Sequence, residues 1–175
     1  IVFRTRQPTA LGDYAATLDA IAGLVAAADQ AIGHSQATVG IGIPGAISPA
    51  TGLVKNANST WLNSRPLQRD ITQRLGRPVK IANDANCFAL SEATDGAGQG
   101  AGIVHGVIVG TGVGSGVVVQ GRVLDGANAI AGEWGHNPLP WPQDGERPGH
   151  ACYCGRHGCI ETWLSGPRLQ EQFRQ

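Results

Sequence analysis

Three of the four cysteines fall within the eight residues Cys152-Tyr153-Cys154-Gly155-Arg156-His157-Gly158-Cys159, and no other feature constrains the chain as tightly. Cys152 and Cys154, with one residue between them, are awkward to bridge, and a cluster of three leaves one thiol over. A disulfide framework is therefore the weaker reading, and metal binding the better one. Three thiolates at this spacing supply three corners of a tetrahedral zinc site, which a single histidine completes. His136, His150 and His157 are the candidates, and spacing does not choose among them. The glycines make this segment a knuckle, and four protein ligands leave no open position for catalysis. The fourth cysteine, Cys87, falls in a predicted helix with apolar neighbours and is expected to be plain core.

Charge and hydropathy narrow the function classes. Thirteen Lys and Arg balance thirteen Asp and Glu, so no net positive field exists to hold a phosphate backbone, and nucleic acid is not an expected partner. No apolar run approaches the roughly 20 residues that span a bilayer, and the first residues lack the regions of a signal peptide. The expectation is a protein of the cytoplasm with no membrane partner. With 42% hydrophobic residues in 175, the chain can bury one sizeable core or two small ones.

Helix and strand alternate along the chain. Leu18, Ile21, Ala22, Val25, Ala28 and Ile32 recur at helical spacing, with Asp13 as N-cap and Gly33 as stop. Val39, Ile41 and Ile43 alternate with Gly40 and Gly42, predicting a strand that ends at Pro44 and Gly45. A hairpin is expected over 47–54, a helix over 66–75, a short strand over 79–82, and a helix from Asn83-Asp84 to about Ala93. Glycines at 96, 98, 100 and 102 break the pattern. The second part reads as a strand over 105–109, a glycine run, a strand over 117–119, a Gln120-Gly121 turn and another short strand. Beyond Gly132 it is loop-rich until a helix that starts near Glu161 and runs to or beyond the end of the sequence.

Three further segments bear on chemistry. In Gly110-Thr111-Gly112-Val113-Gly114-Ser115-Gly116, alternating glycines between β runs can present backbone N–H groups to an anion, or can simply shape a hairpin. No helix follows at once, as a dinucleotide fingerprint needs, and no Gly-Lys pair marks a P-loop. Asn83-Asp84-Ala85-Asn86 sits where a strand gives way to a helix, the edge at which open α/β folds place ligands, and its carboxylate can accept a proton or merely cap the helix. Gly132-Glu133-Trp134-Gly135-His136 can offer a carboxylate to sugar hydroxyls and an imidazole to a metal or ligand.

Together with Gly42-Ile43-Pro44-Gly45 and the run Cys159-Ile160-Glu161, these motifs resemble, in order and over essentially the whole chain, the ROK family of repressors, open reading frames and kinases. Within it, VKNANSTWLN (54–63) and EWGHNPLPW (133–141) are similar to the bacterial fructokinase and mannokinase branch, because glucokinases usually carry Ile where this chain has Trp134. The resemblance implies an α/β, actin-like (ribonuclease H-like) two-lobed ATPase fold, of which this is an incomplete central portion with a zinc knuckle. It divides the chain into residues 1–97, the remainder of an N-terminal lobe, and 98–175, the start of a C-terminal lobe.

The same resemblance implies ATP-dependent phosphorylation of a hexose, fructose to fructose 6-phosphate foremost, with Mg2+ and a structural Zn2+. It makes Asp84 the general base, and gives Gly45, Asn58, Asn83, Glu133, His136 and Glu161 to the sugar. Gly110, Thr111, Gly112 and Gly114 would hold the nucleotide, and His136, Cys152, Cys154 and Cys159 the zinc. Hexose and ATP are then the ligands and a homodimer the expected assembly. Family members carry Asp-x-Gly-Gly-Thr before the segment where this chain begins, and adenosine-contacting helices after the point where it stops, so the activity belongs to a longer parent. Two alternatives stand beside fructose: a ROK repressor with a sugar-sensing domain, and a kinase for N-acetylglucosamine or N-acetylmannosamine.

Overall fold

The computed structural model describes residues 1–33 and 37–174, which form two compact units, Ile1–Asp84 and Ala85–Gln175. In the first unit, helix α1 (Tyr14–Ile32) starts where the Asp13 carboxylate accepts from the Ala16 N–H at 2.9 Å and stops at Gly33 in the left-handed region. Strand β1 (Val39–Ile43) pairs in parallel with β4 (Val79–Asn83). The link between them holds the two-residue strands β2 (Ala46–Ile47) and β3 (Val54–Lys55), paired as the expected hairpin, and helix α2 (Leu67–Leu75), which Gly76 ends. Ile43, Val54, Ala57, Leu62 and Leu67 form the core, with Tyr14, Leu18, Ile41, Ile47, Trp61 and Ile81 packed against it.

Helix α1 corrects one expectation, because at 19 residues, with a mean hydropathy of 1.3 over an 18-residue window, it is long and apolar enough to cross a membrane by length and composition. The buried core helix of a soluble protein and an N-terminal signal sequence pass the same test; α1 lies near the N-terminus and buries no residue fully, and its side chains are tied within the unit. Arg77 Nη2 donates to both carboxylate oxygens of Asp29 at 3.0 and 2.9 Å, Asp19 pairs with Arg74, and Tyr14 donates to Asp70 at 2.8 Å. The Trp61 indole N–H reaches the Thr17 hydroxyl at 3.0 Å. Charged groups with partners of opposite sign would lose them in lipid.

In the second unit, β5 (Ile103–Val109), β6 (Val113–Val119) and β7 (Arg122–Val123) make an antiparallel sheet. Helix α3 (Asp84–Asp95) buries Ala85, Asn86 and Ala89. That face lies on the sheet at Gly106 and Gly116: a Cβ on Gly116 would meet the Ala85 carbonyl at 2.6 Å and the Ala89 Cβ at 2.9 Å. Because α3 packs there, the second compact unit begins at Ala85. The same packing overturns the reading of Cys87, which is exposed because it points away from the Ala85–Ala89 face.

Two further corrections concern glycine and proline. The glycine run is not one loop: only Gly110-Thr111-Gly112 turns, and Gly114 and Gly116 lie inside β6, paired with Ile108 and Gly106. The final helix is broken into α4 (Glu161–Leu164) and α5 (Gly166–Phe173) at Ser165, whose extended backbone precedes a new helix with Pro167 in its first turn.

Candidate functional site

Parallel pairing of β1 with β4 places the ends of both strands side by side, with Ile43 opposite Asn83. The register brings Pro44-Gly45 next to Asn83-Asp84, and the Asn83 amide donates to the Gly45 carbonyl at 3.1 Å. Gly45 has φ +110°, and a Cβ there would strike Lys55 and Ala57 within 3 Å. Asp84 is exposed at the first turn of α3. Asn58 is also exposed, on the loop that Asn63 fastens by accepting from the Ala57 N–H at 2.9 Å and donating to its carbonyl at 3.0 Å. A cavity of about 630 Å³ in this unit, bordered by Val25, Asp29, Arg74 and Arg77, includes none of these residues.

In the second unit the chemistry gathers along β6. Segment Gly132–Gly135 runs against its backbone: Gly132 with φ +88° lies on the Ser115 carbonyl, and Gly135 packs against the Val113 carbonyl so closely that no side chain fits. The two glycines of the Gly-Glu-Trp-Gly-His motif are there for close approach. A Cβ at Gly112, in the turn just before β6, would lie 2.8 Å from a Glu161 carboxylate oxygen, and one at Gly114, inside β6, 3.8 Å from a Glu133 carboxylate oxygen. Glu161 accepts the Val113 N–H at 2.8 Å. The glycines expected to leave amides for phosphate thus also make room for two carboxylates, and the Val113 amide is already engaged. Gly110 donates to the Gly112 carbonyl at 2.9 Å, which closes the turn that carries exposed Thr111.

Ser115 is a residue that sequence reasoning passed over. Its hydroxyl is buried and donates to the Gly132 carbonyl, while His105 Nε2 lies 2.7 Å from the Ser115 hydroxyl oxygen. Since the single hydroxyl hydrogen goes to Gly132, His105 is the donor toward Ser115. The pair fixes the turn from which Glu133 projects.

The knuckle docks on the segment that carries His136. Glu161 N–H bonds the Gly135 carbonyl, Ile160 N–H the Asn137 carbonyl and Leu139 N–H the Gly158 carbonyl, each at 2.9 Å. Ligand atoms of His136, Cys152, Cys154 and Cys159 consequently lie within 4.8 Å of one another. Of the other two candidate histidines, His150 lies against Trp163 with ring centroids 4.7 Å apart and planes tilted at 56° and faces the Arg168 guanidinium, and His157 is exposed. Cys154 Sγ is 3.6 Å from Cys159 Sγ, and Cys152 Sγ is 3.4 Å from His136 Nδ1. A disulfide needs sulfurs about 2.05 Å apart. Tetrahedral zinc, with bonds of about 2.3 Å to sulfur and 2.0 Å to nitrogen, sets edges of about 3.8 and 3.5 Å. The donor set fits such an ion. A hydrogen bond from the Arg156 backbone lowers the Cys154 thiol to about 7, whereas burial pushes Cys159 up to about 12. A bound dication would favour the thiolate form of both.

The ROK family profile matches residues 1–175. The chain belongs to the ROK family. An N-acetyl-D-glucosamine kinase of Vibrio cholerae is 46% identical over 165 residues, which are 92% of this chain and 54% of that protein. The chain spans about half the length of the curated relatives it matches. Among solved structures, the ROK hexokinase of Thermus thermophilus is 34% identical with a TM-score of 0.75, over 95% of this chain and 53% of that one. A ROK family transcriptional regulator, described as a homologue of an Escherichia coli protein, is 28% identical with a TM-score of 0.73, over 90% and 39%. These likenesses give the ROK chain the α/β, actin-like ATPase fold of its relatives.

Proposed function

We propose that this ROK chain is part of a kinase that transfers the γ-phosphoryl group of Mg-ATP to an N-acetylhexosamine, N-acetylglucosamine foremost. The observation that carries the reading is the 46% identity to a relative named N-acetyl-D-glucosamine kinase. Fructose rested on Trp134 and two short stretches, and identity spread over 165 residues outweighs them. Asp84 is the general base that takes the proton of the attacking hydroxyl, at the carboxyl end of a parallel strand pair where α/β folds bind ligands. Gly45, Asn58, Asn83, Glu133, His136 and Glu161 contact the sugar, and the turn Gly110-Thr111-Gly112 with Gly114 borders the nucleotide. Phosphoryl transfer depends mainly on holding the reactants in line, and the Glu161 carboxylate, held by the Val113 N–H on β6, contributes to that rigidity.

His136, Cys152, Cys154 and Cys159 hold one structural zinc, which ties the Cys159-Ile160-Glu161 run to the His136 segment and so steadies Glu161. ADP release by the full-length protein, measured across N-acetylglucosamine, N-acetylmannosamine, glucose, mannose and fructose, tests the reading. The highest kcat/KM is expected for N-acetylglucosamine, and a preference for fructose would overturn it. The likeness to a transcriptional regulator supports a second reading, a sugar-sensing repressor. That protein would bind the sugar but show no turnover with any member of the panel.

A further inference from the structure

We propose that Ser115 and His105 are positioning residues for Glu133, a hydrogen-bonded relay that runs from the surface of the β5–β6 sheet to the backbone of that carboxylate and sets the affinity for the sugar. The inference rests on the reading of Glu133 as a sugar contact. His105 lies opposite Val117 on the β5–β6 ladder, which puts it diagonal to Ser115 on one face of the sheet. Helix α3 packs on the other face, at Gly106 and Gly116. The Ser115 side chain, only 1% exposed, meets the Gly132 carbonyl with its hydrogen and His105 Nε2 with its oxygen, the latter at 2.7 Å.

The Gly132 carbonyl belongs to the same rigid peptide plane as the Glu133 N–H. Ser115 holds the oxygen end of that plane, and the Ile130 carbonyl holds the nitrogen end by accepting from the Glu133 N–H at 3.1 Å. Gly132 has φ +88°, and glycine is where a peptide plane turns over at least cost, so the hydroxyl supplies a hold that the residue's own sterics do not. Two residues past Glu133, the Gly135 carbonyl takes the Glu161 N–H at 2.9 Å. Glu133 thus projects from a span pinned on both sides, and the Ser115 bond is the pin made by a side chain. A hydroxyl carries one hydrogen and rotates freely until something fixes it. The His105 Nε2–H does so, because a hydroxyl oxygen that accepts from His105 turns its hydrogen toward Gly132.

Titration calorimetry of the full-length protein tests this, with Mg-ADP and, separately, with the sugar of the panel that the parent binds most tightly. Ser115→Ala should bind the sugar about 10- to 100-fold more weakly, the worth of the charge-assisted hydrogen bond that a misplaced carboxylate no longer makes, and should bind Mg-ADP as the parent does. His105→Ala should show the same selective loss. The double variant should be no weaker than Ser115→Ala, because both changes release one bond. His105→Gln, whose amide keeps a donor near the place of Nε2, should regain the parent's affinity. Unchanged sugar affinity in Ser115→Ala would overturn the relay and leave Glu133 as a sugar contact. A parent that binds no sugar of the panel would instead overturn that reading, and the relay with it. Equal loss of sugar and Mg-ADP would mark a general loosening of β6 and sink the proposal. Should Ser115→Ala fail to fold, His105→Ala decides alone, since that side chain is exposed and its removal leaves the core intact.

Discussion

Asp84 opens α3 at the end of β4, and its two possible roles separate cleanly at the level of one atom. Asp84→Asn keeps the size of the side chain and removes the proton acceptor. In the full-length protein kcat should fall about 10²- to 10⁴-fold while sugar affinity is kept, because that is what loss of a general base costs. If Asp84 only shapes the start of the helix, Asn serves nearly as well and kcat stays within a few-fold. Gly116 makes the opposite kind of demand. Gly116→Ala drives a Cβ to 2.6 Å from the Ala85 carbonyl and 2.8 Å from the Asn86 Cα. Backbone cannot give way there as a flexible side chain would, so denaturant unfolding should show a loss of about 1–3 kcal/mol. The three clustered cysteines and the Asn83-Asp84 pair stand out in the sequence as candidates because their chemistry is intrinsic. Ser115 did not, because its place between His105 and the Gly132 carbonyl comes from what the fold sets beside it and no spacing announces it.

Helices and strands whose apolar residues repeat regularly fell where periodicity puts them: α1 between Asp13 and Gly33, α2 before Gly76, and the β2–β3 hairpin. The first half of β6 escaped because Gly114 and Gly116 read as loop, whereas Gly116 is glycine to admit α3, and Gly114, like Gly112 in the preceding turn, lies beside a carboxylate. A sequence shows that a side chain is missing and does not show what fills the space. Helix α1 buries no residue fully, and its polar ties have a testable pH signature. The hydrogen bond from Tyr14 holds the Asp70 carboxyl below its ordinary value of 3.8, and burial with the same bond raises the Tyr14 phenol above its ordinary 10.0. A carboxyl lowered by folding stabilises above pH 3.8 and loses that contribution as pH falls through the depressed value. A phenol raised by folding stabilises fully below pH 10.0 and loses its share as pH rises beyond it. Tyr14→Phe should therefore be less stable than the parent between these limits, with the gap narrowing at both ends of a pH series of unfolding curves. A gap that stays constant into strong acid would mean the pair does not couple to folding.

Taken as a whole, the chain distributes its supports unevenly between the two units. The first relies on an apolar core in which Leu67 and Ile71 are fully buried. The second has a long irregular stretch between β7 and α4, whose backbone is fastened at Gly135, Asn137 and Leu139 by bonds to Glu161, Ile160 and Gly158 at the knuckle and its end. All four candidate zinc ligands belong to this second unit, so removing zinc removes support from one unit and from none of the first unit's core contacts. Structural zinc contributes on the order of 10 kcal/mol to small knuckles, much more than the hydrogen bonds along this stretch supply by themselves. Amide hydrogen exchange of the full-length protein, with and without a strong zinc chelator, should accordingly rise at least about tenfold at Leu139, Cys152, Ile160 and Glu161, a change of roughly 1.4 kcal/mol in local opening. The amides of β1 and α2 should exchange at the same rate in both samples. Exchange unchanged in both regions would show that the cysteines and His136 hold no metal that matters to folding. Exchange raised equally in β1, α2 and the knuckle would show that zinc supports the chain globally, and the assignment of its effect to the second unit would fall.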